Sequence, residues 1–469
     1  MLHHAKMHVS WLIAGFAVGL STVLPVAAQE APRYNLELCC KLCPEAQDPK
    51  AYNTAELAEN RQLIDGQDGW LYRSGFDLNT DFSPEYPDAY SDLRRFAEAL
   101  RSRGIELVLA YLPTRGLAHP DTLTPDQRTH YDHDAAARSY AAQLNAFRDQ
   151  GIQVPDLTPL LRAAPREEAY YFKRDRHWTP SGAQRTAQLV AETVRRLPVY
   201  VKLSKQSFTT MPVGMLRKSG SLQQAATQLC GFQYSDQWVP AFRTEASSSA
   251  SAAPPITLIG TSFSADASNY NFRGYLQEYL GVEIRNASVA GYGARGSWLN
   301  YLASTEFQRA PPRVLIWEVP AHGAPGTSKF YRQAVPLISN GCERGTVVLA
   351  RKVMLKPGTT EVLFNNSAKV LEIDRQLILD LRLRDRDSHT LTANIWSTTG
   401  SKTTLNLKHP DSPNTEDRFV AELGPDRTSR KLHFLSMDIL LPPNASAGIT
   451  ADARLCTPTT GTFQHVSTQ

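Results

Sequence analysis

Ile256-Thr-Leu-Ile-Gly260-Thr-Ser262-Phe-Ser264 decides the fold. An apolar, β-branched run ends in Gly260-Thr261-Ser262, and the following segment, Ala265 to Leu280, is compatible with a helix. A strand that enters a sharp glycine-assisted turn and then a helix holds a hydroxyl exposed at the top of a sheet. The N–H groups at the start of such a helix are free to face a developing oxyanion. The competing reading is an ordinary strand-to-helix turn in which a serine caps the helix. The stretch also lacks the last glycine of G-x-S-x-G, since Ser264 stands there.

At 469 residues the chain is too long for one core, and two domains are expected. The composition, 42% hydrophobic and 20% charged, is that of a globular protein. The N-terminus has Lys6, an apolar run from Trp11 to Val26, and Val26-Ala-Ala28 before Gln29. This pattern predicts a secretory signal, residues 1–28, cleaved near Ala28; the apolar run is short for a retained anchor and ends at Pro25. No second stretch is long enough to span a membrane, so no transmembrane segment is expected in the mature chain. Removing Lys6 with the signal lowers the formal charge from +4 to +3, too mild to argue for nucleic acid. Local basic clusters still suit an acidic polymer. Cys39, Cys40, Cys43, Cys230, Cys342 and Cys456 remain, and an even count in an exported chain points to disulfides. Pairing is open at this point, although a Cys342–Cys456 bridge would close the last third of the chain on itself. A metal site on Cys39-Cys40-x-x-Cys43 has no second Cys or His cluster to complete it, so no metal is expected.

Asp65 to Arg73 reads as a turn and a short strand. Periodicity predicts helices over Pro87–Arg103, Tyr131–Asp149 and Ser181–Arg196, with strands over Ile105–Leu112 and Val154–Leu157. Thr209 to Val239 reads as irregular, and Ser247 to Pro255 as a low-complexity surface loop. After Ile256 come a strand at Val282–Ala287, a glycine-rich turn from Val289 to Gly296, a helix over Ser297–Arg309 and a strand at Arg313–Glu318. This alternation predicts a parallel α/β sheet in residues 29–340. From 341 to 469 the texture changes to period-two strands, such as Leu377–Arg384 and Leu391–Trp396, broken by turns at Thr399-Gly-Ser and Pro442-Pro-Asn-Ala; this predicts an all-β sandwich. Asp380, Arg382 and Arg384 share one strand face, which reads as a solvated, salt-bridged surface.

Asp175-Arg-His177 precedes the helix near Ser181. A carboxylate two residues before a histidine can orient the ring and support it as a base; a plain surface loop is the alternative. With Ser262 as nucleophile, His177 as base and Asp175 as orienter, all three roles of a nucleophilic triad are represented.

Gly260-Thr-Ser262-Phe-Ser264 resembles the Gly-Asp-Ser-Leu-Ser block of the SGNH hydrolase superfamily. Asn286-Ala-Ser-Val-Ala-Gly291 resembles its second block, and Asp175-Arg-His177 its Asp-x-x-His block, one residue shorter. The order is inverted, as in a circular permutation, and Glu318-Val-Pro-Ala-His322 stands in place of the oxyanion Gly-x-Asn-Asp. That loss implies a replaced donor or weak esterase activity. The layout, with Asp68-Gly-Trp-Leu-Tyr72 near the start, is similar to the AlgX/AlgJ family of alginate O-acetyltransferases; the β domain and Cys-Cys-x-x-Cys leader favour its AlgX branch. The resemblance implies a periplasmic protein, an SGNH-like α/β three-layer domain and a carbohydrate-binding module. It implies acetyl transfer to mannuronate hydroxyls of polymannuronate, no cofactor beyond an acetyl donor, and partners among other periplasmic alginate acetylation and export proteins. It further implies disulfides Cys43–Cys230 and Cys342–Cys456, leaving Cys39 and Cys40 unassigned.

The N–H groups near Ser262 and Gly291 are the expected oxyanion donors, and Tyr292 and Arg295 are candidates for a uronate carboxylate or the oxyanion. For these two, an ordinary solvated loop position is the alternative. Thr392, Asn394 and Trp396 share one strand face, and with Lys402 nearby they suit a sugar ring and its carboxylate. Packing of Trp396 in the sandwich core is the alternative, and the resemblance shifts the balance to a binding face. A non-catalytic polysaccharide-binding scaffold and an acetylesterase are the rival functions.

Overall fold

The run at Ile256 lies inside a parallel sheet, buried on both faces. The computed structural model describes residues 42–84, 86–161, 169–247, 253–367, 369–384, 390–408, 418–424, 431–442 and 448–458. The signal sequence with its cleavage position near Ala28, Cys39, Cys40 and part of the Pro442 turn lie outside the described residues.

Strands β1 (Leu63–Asp65) and β2 (Leu71–Arg73) form a small antiparallel ribbon. Helix α1 (Ala89–Ser102), strand β3 (Glu106–Leu112) and helices α2 (His133–Asp149) and α3 (Pro180–Arg195) follow. Next come β4 (Phe208–Lys218), α4 (Ser221–Cys230), β5 (Gln237–Ala246), β6 (Ile256–Ile259), α5 (Phe272–Leu280) and β7 (Ile284–Asn286). Helix α6 (Gly293–Ala303), β8 (Val314–Pro320) and α7 (Ser328–Ile338) complete the α/β part.

The central sheet has the order β3-β8-β6-β7, all parallel. Every residue of β6 and β8 is buried, which is why they read as apolar runs interrupted only by Thr257 and Glu318. Helix α3 packs with α5, and α7 with α1 and α6, giving helical layers over the sheet. Phe96 of α1 is an aromatic hub, with Trp298, Trp317, Phe330 and Tyr331 all within 5.8 Å of its ring centre.

Four expectations for the α/β part need correction. No strand forms over 154–157; only Gln153 bridges Val108, because Pro155 cannot extend a ladder. Residues 209–239 are not irregular: β4 and β5 pair as an antiparallel hairpin from Phe208↔Ala246 to Lys218↔Gln237, with α4 between them. Both strands are half exposed and carry Pro212, Gly214 and Pro240, so no apolar run marks them. The helix after Ser262 starts at Phe272, since Asn269 and Asn271 take left-handed φ values of 60° and 57°. Helix α6 begins at Gly293, inside the glycine-rich turn.

The C-terminal strands are β9 (Gly345–Met354), β10 (Gly358–Phe364), β11 (Ile378–Leu383), β12 (Thr390–Ser397), β13 (Lys402–Lys408), β14 (Arg418–Glu422), β15 (Phe434–Leu441) and β16 (Thr450–Pro458). They form two antiparallel four-stranded sheets, β10-β15-β12-β13 and β14-β11-β16-β9. Ile378, Val420 and Cys456 of the second sheet join the α/β core, so that sheet is covered on both faces. Asp380 is therefore buried rather than solvated: Arg418 pairs with both its oxygens (2.9 and 2.5 Å), and the Cys342 N–H donates to it at 2.9 Å. Arg382 does reach a surface partner, Glu343, at 2.8 Å. Cys43–Cys230 and Cys342–Cys456 are both bridged.

Candidate active site

The histidine sits in a short turn before α3. Thr179 caps α3 by accepting the Gly182 N–H at 3.1 Å, and Pro180 takes the first helical position, where no N–H is needed. The turn is closed by Phe172 N–H to His177 O (3.2 Å) and Thr179 N–H to Tyr170 O (2.9 Å). Arg115, only 1% exposed, holds it from below. Its guanidinium donates to the carbonyls of Phe172 and Asp175 (both 2.7 Å), Leu71 (2.6 Å) and Lys173 (3.0 Å). Nothing local in the sequence marks Arg115 for this role, because its acceptors lie 44 to 60 residues away.

The serine sits where β6 ends, as the strand-and-turn pattern predicts. Strands β6 and β7 run parallel, so the Ser262 turn and the segment from 287 into the start of α6 emerge at the same carboxyl end of the sheet. Buried Ser297 ties them together, donating to Gly260 O (3.1 Å) while accepting the Val289 N–H (3.2 Å). Glu318, fully buried on β8, grips the Ser262 turn from below. It accepts the Thr261 N–H (2.8 Å), the Thr261 hydroxyl (3.0 Å) and the Ser264 hydroxyl (3.0 Å). Gly260 is needed for this approach, because a Cβ there would collide with the Glu318 carboxylate. Burial pushes the Glu318 carboxyl up to about 7.

The two turns meet. Trp178 Nε1 donates to Phe263 O at 3.0 Å. His177 Nδ1 lies 2.6 Å from Asp175 Oδ1, and His177 Nε2 lies 2.7 Å from Ser262 Oγ. Asp175 also accepts the His177 N–H (2.9 Å) and the Ser221 N–H (2.7 Å). Burial pushes the Asp175 carboxyl up, but His177, Lys218 and the Ser221 N–H outweigh it and hold it well below the usual range. Burial pushes His177 below its ordinary value, with Asp175 opposing the shift. An anionic Asp175 can only accept, so Nδ1 carries the ring proton and Nε2 is free to accept from Ser262. Chemically this is a hydroxyl, a base and an orienting carboxylate in line.

No described residue accepts the N–H of Ser262 or of Gly291, whereas the Thr261 N–H is taken by Glu318. Gly291 has φ 86°, a backbone state suited to glycine. Tyr292 stands just before α6 and is half-buried, whereas Arg295 lies in the first turn of α6 and is exposed. Among the described residues no three His, Cys, Asp or Glu side chains gather as a metal site. No helix of the described residues is long and apolar enough to cross a membrane.

On the sandwich, Leu391, Ala393 and Ile395 point into the core, while Thr392, Asn394 and Trp396 form the outer face of β12. Trp396 donates through Nε1 to Asp438 (2.7 Å), and the Lys402 ammonium lies 5.7 Å from its ring centre. Asn394 accepts from Thr404 (3.0 Å), and Thr392 donates to Asn406 (3.1 Å). Trp396 is thus outside the core, on the same face as the other three.

Residues 63–321 match the family described as the SGNH hydrolase-like domain of acetyltransferase AlgX, and residues 341–468 match a C-terminal carbohydrate-binding module. The chain is 37% identical over 455 residues to the alginate biosynthesis protein AlgX of Pseudomonas aeruginosa, covering 95% of each chain. It is 28% identical to the probable alginate O-acetylase AlgJ of the same organism, over 57% of this chain and 71% of that one. The solved structure of Pseudomonas aeruginosa AlgX superposes with a TM-score of 0.82 at 38% identity, over 89% of this chain and 99% of that chain.

Proposed function

The chain belongs to the AlgX family of SGNH hydrolase-like acetyltransferases, and from that premise we propose that it is a periplasmic O-acetyltransferase of alginate biosynthesis. It transfers acetyl to mannuronate hydroxyls through Ser262, His177 and Asp175. The observation that carries this reading is the unbroken line from Asp175 through His177 to Ser262, with contacts of 2.6 and 2.7 Å. Two disulfides, a bond type that persists in oxidising compartments, support export.

In the first step His177 Nε2 takes the Ser262 proton as Oγ attacks the acetyl carbonyl of the donor. The oxyanion falls to the N–H groups of Ser262 and Gly291, which have no acceptor among the described residues. His177 returns the proton to the departing donor group, leaving acetyl on Ser262. A mannuronate hydroxyl then attacks this ester and gives its proton to His177, which passes it back to Ser262 as the serine leaves. Asp175 keeps the ring in the tautomer that both steps need. The outer face of β12, with Trp396 and Lys402, holds the polymer by ring stacking and charge.

The test uses the mature protein, a chromogenic acetyl ester and a polymannuronate oligomer, followed by ester cleavage and oligomer mass. A gain of one acetyl mass, absent in Ser262→Ala, supports transfer. Cleavage without mass gain identifies an acetylesterase. Binding without either leaves a polysaccharide scaffold.

A further inference from the structure

We propose that Lys218 is a positioning residue for this site: delivered by the β4–β5 hairpin, its ammonium braces the second oxygen of Asp175 and the phenol of Tyr270, and so sets the pH range in which His177 serves as base. The proposal rests on the reading of Ser262 chemistry above.

Asp175 uses its oxygens differently. Oδ1 accepts from His177 twice, through Nδ1 and the backbone N–H, while Oδ2 accepts the Ser221 N–H. Lys218 Nζ stands 3.6 Å from the same Oδ2. The same ammonium donates to Tyr270 OH at 2.6 Å. The Tyr270 ring lies 5.6 Å from the His177 ring at an interplanar angle of 35°. Lys218 therefore reaches two of the groups that lie against the imidazole, Asp175 and Tyr270. It is not a solvated surface lysine, since its side chain is 23% exposed and faces a carboxylate that is 2% exposed.

The backbone around Lys218 is held as firmly. The N–H groups of Leu222 and Gln223 both donate to Arg174 O at 3.1 Å, and a Cβ on Gly220 would run into that same carbonyl. Residues 218–223 thus grip residues 174–175, and Cys230 at the far end of α4 is bridged to Cys43. An unrelated surface hairpin has no reason to close this tightly on a carboxylate.

A fixed cation beside Asp175 favours the carboxylate and disfavours an imidazolium at His177. The other titratable groups facing His177 are Asp175, Arg176, Tyr270 and His322. Of these, only Asp175 favours the imidazolium, so removal of Lys218 leaves that carboxylate less opposed and moves protonation of His177 to higher pH.

The experiment compares wild type, Lys218→Met and Lys218→Arg in the full chain, using pH profiles of acetyl-ester cleavage and NMR titration of the His177 ring. Lys218→Met is expected to lower kcat about tenfold with KM changed by less than about twofold. It also moves the acid limb and the His177 titration to higher pH, while Lys218→Arg keeps the titration near wild type. A fall in kcat with limb and titration unmoved, or an unchanged kcat, overturns the proposal. Wild type without Ser262-dependent cleavage sinks the functional reading instead, and the NMR titration then decides the role of Lys218 alone.

Discussion

Trp178 Nε1 donates to the carbonyl of Phe263 at 3.0 Å, so the residue after His177 is pinned to the residue after Ser262. The two turns come from blocks 85 residues apart in sequence. Their alignment depends on this buried indole, which also packs on Phe263 and Phe272.

Trp178→Phe removes the hydrogen bond and keeps most of the ring. It is expected to cost about 1–2 kcal/mol in unfolding free energy. Ester cleavage should fall further, by about tenfold, because small misplacements of a reacting pair are costly in rate. Urea unfolding and steady-state kinetics check the two separately; equal, unaltered rates would show that Trp178 does not align the turns.

Arg115→Met strips four carbonyls of their donor in the interior and leaves Asp77, 3.6 Å from the guanidinium, less compensated. The expected destabilisation is about 3–5 kcal/mol, read by chemical unfolding. A loss below about 1 kcal/mol would mean the turn holds its shape without Arg115.

Glu318 gives a pH dependence of known sign. Its folded value, about 7, lies above the ordinary 4.5, so the native state keeps a proton that the unfolded chain releases. Its contribution is full below the unfolded value and is lost as pH rises through the folded value. Glu318→Gln should therefore gain about 2–3 kcal/mol on wild type between about pH 5 and 7.5, in unfolding curves at each pH. Parallel curves for the two proteins would refute it.

Replacing Cys43 and Cys230 by serine opens a bridge spanning 187 residues. A loss of about 2–5 kcal/mol is expected, read as a lower unfolding midpoint. Because α4 starts at the N–H that holds Asp175, ester cleavage should fall as well. Full activity at lowered stability would separate the bridge from the site.

Trp396→Ala removes the aromatic plate of β12 without touching the sandwich core. Affinity for a polymannuronate oligomer should drop about tenfold, since such stacking is worth roughly 1 kcal/mol or more. Cleavage of a small acetyl ester should stay at the wild-type rate. Calorimetry with unchanged affinity would move the binding face elsewhere.

The amino-acid sequence by itself determined the elements whose burial leaves a local pattern. Strands β3, β6 and β8 are apolar runs because both faces are covered, and β12 alternates because one face is. Those patterns and short motifs singled out Ser262, His177 and Asp175 as candidates and put Thr392, Asn394 and Trp396 on one strand face, but whether that face turns to the core or outward was settled by the fold. Tertiary structure alone decided what holds them. The β4–β5 hairpin has no apolar signature, Arg115 and Lys218 look like any cation, and Glu318 and Asp380 look like solvated acids. Each acquires its place from partners far away in the chain: Arg115 from residues 71 and 172–175, Glu318 from 261 and 264, Asp380 from 342 and 418. Periodicity reports the face a residue turns to its own element, whereas a buried charge is settled by which distant groups the fold brings to it.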